Sequence, residues 1–273
     1  MKYGVFWLFT IFIFGFTAAQ PAADKSYHFI YLSSWTYEKG DPIPNQEWVS
    51  LSVKGDSSIY QKYNKRKLDS ITSFRQPTPE EMSSLFNIER YAIEFAGEDV
   101  TFYDMIGNRL LKYKETLSHN WKLINESKTI KGYACKKATV TYGGRDWIAW
   151  YAPEVPFSVG PYKFRGLPGL IIKATDSTGD FDFELNKFRE KKYLKLTKYV
   201  HSKPVEEMEV ITRKDYNKLR LKWSILSTNE RLAMMNNGDA VTFAFTSFSG
   251  EPMDMNTTRK RANEIGFIEM NHD

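Results

Sequence analysis

Side chains able to do chemistry are spread thinly through the 273 residues. The four histidines, His28, His119, His201 and His272, stand far apart. No two of them share an i, i+4 or other ligand spacing, so no local metal box is expected. Asp180, Asp182 and Glu184 alternate opposite Phe181 and Phe183. Such a row either offers oxygens to calcium or forms the solvated face of a strand with an apolar back. The single cysteine, Cys135, excludes an intramolecular disulfide framework and any multi-cysteine zinc site. It reads as a small buried hydrophobe, with a reactive or metal-binding thiol as the alternative. There is no Walker loop, no dinucleotide fingerprint and no Gly-x-Ser-x-Gly elbow. No metal and no cofactor are expected.

Two further groups have a chemical and a structural reading. Gly55-Asp56-Ser57 resembles the nucleophile block of one esterase class. That class also needs an Asp-x-x-His pair, whereas His272 has Glu269 three residues before it. Between two strands, Gly-Asp-Ser is also ordinary turn chemistry. On the other side of the chain's middle, Arg145, Trp147, Ala149 and Tyr151 share one strand face. An arginine beside aromatics either takes an anionic head group or closes an internal salt bridge, with Asp176 as the candidate partner.

The elements that must position these residues are mostly strands. Period-two patterning marks Tyr27 to Tyr37, Trp48 to Val53, Ser58 to Tyr63, Tyr91 to Phe95, Val100 to Met105 and Leu110 to Glu115. It continues in Trp121 to Leu123, Tyr133 to Tyr142, Arg145 to Tyr151, Leu170 to Thr175, Phe181 to Lys187, Leu194 to Val200 and Val241 to Phe248. Gly97-Glu98-Asp99, Gly107-Asn108 and Gly143-Gly144 supply turns. Short connections require antiparallel pairing. Helices are expected from Thr78 to about Leu85, over Arg213 to Trp223, from Ser227 through Met235 and over Thr257 to Glu264. The expected fold is mainly β: a large curved antiparallel sheet, a half-barrel or sandwich, with C-terminal helices. The 15% aromatic content suits strands.

Residues 1–19 read as a signal peptide, and residues 20–273 as a single β-rich domain. Lys2 is a short positive n-region, Val5 to Phe16 an apolar core, and Thr17-Ala18-Ala19 a small-residue cleavage site before Gln20. The mature chain is then exported: periplasmic, outer-membrane-associated or secreted. It is not an integral membrane protein after cleavage, because no later stretch is apolar enough to span. Without Lys2 the charge is 37 Lys and Arg against 33 Asp and Glu, or +4. So small a surplus gives no reason to expect a nucleic-acid partner.

The most specific run is Gly160-Pro161-Tyr162-Lys163-Phe164-Arg165-Gly166-Leu167-Pro168-Gly169-Leu170-Ile171. It resembles the GLPGLI family of Bacteroidetes exported proteins, named for that hexapeptide. Gly132-Tyr133 with Cys135, Lys137 and Ala138 looks like the family's GYxCxKA stretch. Gly144-Arg145 with Trp147, Ala149, Trp150 and Tyr151 looks like its GRxWxAWY stretch. The tail departs: Ile268-Glu269 lacks the preceding Asn-Pro. The resemblance implies a secreted or periplasmic β protein of undefined activity, sometimes encoded near TonB-dependent outer-membrane receptors. Its strand pattern looks similar to lipoprotein-carrier half-barrels.

From physics, Leu167-Pro168-Gly169-Leu170 suits a type II turn leading into a buried strand. The loop either closes the core rigidly or stands at the mouth of a pocket. The expected function is a non-enzymatic binding protein for a hydrophobic or amphipathic, lipid-like ligand. Arg145, Trp147, Tyr151, Tyr162, Lys163 and Leu167 are its candidate contacts. The alternatives are an accessory protein that docks on a TonB-dependent outer-membrane receptor, and a hydrolase with an unrecognised site.

Overall fold

The computed structural model describes residues 25–36, 44–63, 91–191, 199–200, 203–226 and 230–231. The leader, the helices expected near Thr78, Ser227 and Thr257, the strand at Val241 and the Ile268-Glu269 tail lie at least in part outside these residues.

Eleven strands in chain order build most of one sheet. They are β1 (Ser26–Trp35), β2 (Asn45–Lys54), β3 (Ser57–Lys62), β4 (Ala92–Ala96), β5 (Asp99–Ile106), β6 (Arg109–Thr116), β7 (Lys122–Ile130), β8 (Tyr133–Tyr142), β9 (Arg145–Ala152), β10 (Leu170–Asp176) and β11 (Phe181–Lys191). Strands β12 (Tyr199–Val200) and β13 (Lys203–Pro204) form a separate two-stranded ribbon, so little of the long strand expected from Leu194 is described. Strand β14 (Glu209–Val210) adds to the main sheet, and helix α1 (Arg213–Ile225) follows. The order across the twelve-stranded sheet is β14-β6-β5-β4-β3-β2-β1-β11-β10-β9-β8-β7. Every pair is antiparallel except β14 on β6. The mainly β class expected from alternation is the observed one.

Tight turns account for the meander. Gly143 and Gly144 both have positive φ, 62° and 77°, the conformation a two-residue hairpin between right-twisted strands requires. Lys131 and Gly132 make a similar turn between β7 and β8, with φ of 48° and 85°. That hairpin extends β7 to Ile130, well beyond the Trp121–Leu123 segment that alternation marks. Its residues Asn125-Glu126-Ser127-Lys128 are polar and exposed, so no buried face betrays the strand. Pairing with β8 holds it in place.

The sheet curls, and chain connectivity shows by how much. Strands β6 and β7 are consecutive in sequence but ten inter-strand steps apart in the sheet. Laid flat, that separation is ~48 Å at a strand spacing of ~4.8 Å. Only Leu117–Trp121 joins them, and such a link reaches ~22 Å at most. The two flanks of the sheet must therefore swing toward each other, as in an incomplete barrel.

What fills the curl is the segment between β9 and β10. Phe157 packs on Tyr27 and Phe29 of β1 and Phe188 of β11, with ring centroids 4.7, 5.1 and 5.9 Å away. Tyr162 meets Tyr60 of β3 and Tyr91, each at 6.4 Å. Phe164 reaches Trp147 of β9 at 4.6 Å and Phe183 of β11 at 6.4 Å. One loop thus touches strands along most of the sheet. Helix α1 seals the flank at β5 and β6. Its N-cap Thr212 accepts from the Asp215 amide, and Tyr216 packs on Phe102 and Tyr113. Tyr216 and Arg220 both donate to the buried Asp104 carboxylate, at 2.7 and 2.8 Å.

The loop's exit depends on Gly169, whose φ is +150°. A Cβ there would run into the carbonyl of Ala152 and the Cα of Pro153. Gly169→Ala is expected to lower stability by roughly 3 kcal/mol, from steric overlap plus an unfavourable backbone region. Gly97→Ala, at a positive-φ turn with open space around it, is expected to cost only about 1 kcal/mol. Urea unfolding followed by circular dichroism checks the contrast; equal losses would sink the packing argument for Gly169.

Candidate functional site

The family-like run lies inside the fold with a regular division of labour. Tyr162 has a left-handed backbone, φ 54°, and the two following side chains go to different parts of the core. Lys163 is fully buried. Its Nζ lies 2.6 Å from Glu115 Oε1 and donates to the Tyr113 hydroxyl at 3.1 Å. The rings of Phe102, Tyr113 and Tyr162 surround it at 5.2, 5.4 and 5.5 Å, so the ammonium sits in an aromatic cage. Arg213 of α1 reaches the other oxygen of Glu115 at 3.2 Å, which links loop, sheet and helix through one carboxylate.

The other expected contact residues are also interior. Arg145 is buried and pairs with Asp176 at 2.7 Å and Asp180 at 3.0 Å. Asp176 is the internal partner expected for it, and it also accepts from the Phe181 amide at 2.9 Å. Trp147, Tyr151, Tyr162 and Leu167 belong to the same hydrophobic core. Of the structural motif, Phe164, Leu167, Leu170 and Ile171 are each at most 1% exposed. A Cβ on Gly160 would collide with Ile171 and the Phe164 carbonyl, so Pro161 follows a glycine that lets the loop lie against β10. These residues make the wall behind a site and not its lining.

Other sequence candidates settle similarly. Asp182 and Glu184 share Lys173, at 3.0 and 2.9 Å, and Lys131 adds a second cation to Glu184 at 3.0 Å. The acidic row is an ion-pair ladder, and no grouping of metal-ligating side chains occurs among the described residues. Cys135 is buried, its thiol pushed up to about 11 by burial, and it is core. Gly55-Asp56 forms the turn between β2 and β3, with Ser57 opening β3.

A cleft of about 630 Å³ opens where the loop meets the ends of the strands. Tyr27, Val53, Phe157 and Val159 line it with Pro153, Pro156 and Pro168. Asp56 and Glu98 come from the β2–β3 and β4–β5 turns, and Lys25 from the start of β1. Gly166, Pro168 and Gly169 present the outer side of the hexapeptide, and Arg165 stands beside them. None of Arg145, Trp147, Tyr151, Tyr162, Lys163 and Leu167 lines this cleft. Arg165 is the residue that sequence reasoning passed over. No sequence pattern singles it out: Tyr162, Lys163 and Phe164 are buried in succession, whereas Arg165, bridged to Val159, is half-buried.

The link between β6 and β7 holds the loop from its other side. The Trp121 indole N–H donates to the Arg165 carbonyl at 2.8 Å, and His119 Nε2 lies 3.0 Å from the Lys163 carbonyl. Burial holds the His119 imidazole below its ordinary pKa, against a smaller opposing contribution from the carbonyl bond.

Comparison with known proteins adds a modest frame. A family model described as a protein of unknown function (Porph_ging) matches residues 144–173, from the β8–β9 turn through the loop into β10. No curated protein matches the chain. Two crystal forms of PNGF-II, in space groups P21 and C2, are similar at 16% and 15% identity, with TM-scores of 0.54 and 0.52. Each match covers 74% of this chain and 34% of that chain, so this chain spans about a third of those solved chains and shares a fold with part of them. A LolA superfamily protein from Nitrosomonas europaea matches at 11% identity over 61% of this chain and 86% of that chain. Its TM-score of 0.28 is too low to relate the folds.

Two outcomes follow from the buried charges. Lys163→Met is expected to destabilise by about 3–5 kcal/mol, because Glu115 is left largely out of water with Arg213 as its remaining ion-pair partner among the described residues. Adding Glu115→Gln should recover part of that loss. A denaturant double-mutant cycle reads the coupling, and additive losses would show that the pair is not coupled. For His119, the folded-state pKa lies below the unfolded value of 6.5, so the unfolded chain takes up the proton first. Stability is therefore lost as pH falls below that value. His119→Gln should reduce the drop in melting temperature between about pH 7.5 and about pH 5. An unchanged drop would assign acid sensitivity to other groups.

Proposed function

We propose that this chain is an exported, non-enzymatic binding protein that takes an amphipathic ligand in the cleft beside the 160–171 loop. On this reading it is a GLPGLI-type protein. Its residues 1–19 are a cleaved leader, and it works in the periplasm, at the outer membrane or outside the cell. The observation that carries the proposal is the cleft itself. A volume of about 630 Å³ suits a small ligand, and aromatic, aliphatic and proline side chains form its walls. A few polar groups, Arg165, Asp56, Glu98 and Lys25, stand among them.

The location differs from a carrier in which the ligand lies between a curved sheet and helices. Phe157, Tyr162, Phe164 and Leu167 already occupy the hollow of the curl, so the ligand is assigned to its end. Among the described residues no helix is long and apolar enough to cross a membrane. Leu167 and Leu170 are buried, so a contact between the loop and an outer-membrane receptor would have to use Gly166 and Pro168.

Binding of the uncharged dye phenylnaphthylamine tests the reading, because its emission rises in an apolar site. Ser158 is exposed and lines the cleft. Ser158→Trp should fill it and weaken dye binding by about tenfold or more, with the melting temperature unchanged. Equal affinity in the variant would place the dye elsewhere and remove the cleft from the proposal.

A further inference from the structure

We propose that Arg165 anchors the acidic end of the ligand, so that the cleft selects an apolar body carrying one carboxylate or phosphate over its uncharged counterpart. This inference rests on the cleft being the binding site.

The interior cations of the fold set the standard against which Arg165 stands out. Arg145 reaches Asp176, Lys163 reaches Glu115 and Arg220 reaches Asp104, each at 2.8 Å or less. Arg165 is partly buried, yet no carboxylate among the described residues lies within ion-pair distance of it. Its Nη1 is buried and has no hydrogen-bond partner among the described residues. A guanidinium stays protonated under ordinary conditions, so its remaining donors require an acceptor. Leaving one unmet in a partly dry site has a cost that a bound anion would remove.

The rest of the geometry holds the side chain ready. Its guanidinium carbon lies 4.7 Å from the centre of the Phe95 ring, which fixes one face of the plane. Its backbone is pinned by the bridge to Val159 and by the Trp121 indole. Phe164 before it and Leu167 after it are buried in the core. A planar donor fixed in this way matches the two oxygens of a carboxylate or phosphate. Tyr27, Val53, Phe157 and Val159 then offer apolar surface to the rest of the molecule.

The charges facing Arg165 shape the selectivity. Burial weighs against the charged form of Arg165, and Glu98, on the β4–β5 turn, offsets part of that by favouring the charge. Asp56 lies on the neighbouring turn, and Lys25 is engaged with Glu190 at 3.2 Å. The two carboxylates are on exposed turns, where solvent screens them, whereas Arg165 is partly withdrawn. An incoming anion therefore has a buried donor to gain and a screened repulsion to overcome.

The test is calorimetric titration of the purified mature chain with decanoate, decyl phosphate, decanol and acetate. The two anionic amphiphiles should bind about tenfold or more tighter than decanol, and acetate far more weakly than decanoate. Arg165→Gln should abolish that preference while decanol binding persists. Glu98→Gln should raise affinity for the anionic amphiphiles severalfold and leave decanol unchanged; it decides the matter if the arginine variant fails to fold. Equal binding of decanoate and decanol, with no response to either substitution, overturns the role of Arg165 but leaves the cleft as a binding site. Acetate binding as tightly as decanoate overturns the amphiphile. Failure of all four probes to bind overturns the cleft and this inference together.

Discussion

Five residues join β6 to β7, and those strands flank opposite sides of a twelve-stranded sheet. That short tether forces the sheet to curl, and a curled sheet has a hollow that something must fill. Close packing of protein interiors leaves no room for a dry void of that size. The chain supplies its own filling from the segment between β9 and β10. Trp121, at the end of the tether, bonds to the backbone of that same segment. Closure and filling are thus one event, and the cleft exists because the filling leaves off near the strand ends.

This arrangement explains why so conspicuous a sequence motif is so deeply buried. Its glycines lie where neighbouring backbone passes close, as Ala152 does at Gly169. Its large side chains each face a different part of the curl. The aromatic excess is used there as well: Phe164 alone lies within 6.4 Å of Trp147, Phe183, Tyr142, Trp121, His119 and Tyr162. Two buried cations, Lys163 and Arg145, tie this aromatic mass to charged partners on the sheet and its turns. Such pairs are expensive to desolvate and contribute geometry more than net stability.

Much of the fold was legible because alternation reports a half-buried strand directly. Strands β1 to β6 and β8 to β11 follow from where Val, Ile, Phe and Tyr recur at every second place. Strand β7 was not fully legible, since an edge strand exposed on both faces has no apolar period to show. The curl was not legible either: it depends on which strands end up as flanks, and that is a property of pairing, not of any one segment. At the site, residue type was informative but depth was not. Arg145 and Lys163 carry the chemistry of a ligand contact, yet Asp176 and Glu115 satisfy them internally. Arg165 looks no different in sequence, and only its half-buried place at the cleft sets it apart.

Pairing of β1 with β11 has a kinetic side. Its register sets Ser26 opposite Lys191, partners separated by 165 positions, while β1 to β6 on one side and β7 to β11 on the other pair in sequence order as meanders. Entropy of loop closure rises with the length enclosed, so contacts this distant in sequence form at a disadvantage. The two meanders can assemble from local turns, whereas the seam between them must wait for a long search. Until it forms, the β1 and β11 edges are unpaired and their backbone groups are open to the wrong strand. A chain built this way gains from being kept apart from its own copies during the first stages of folding.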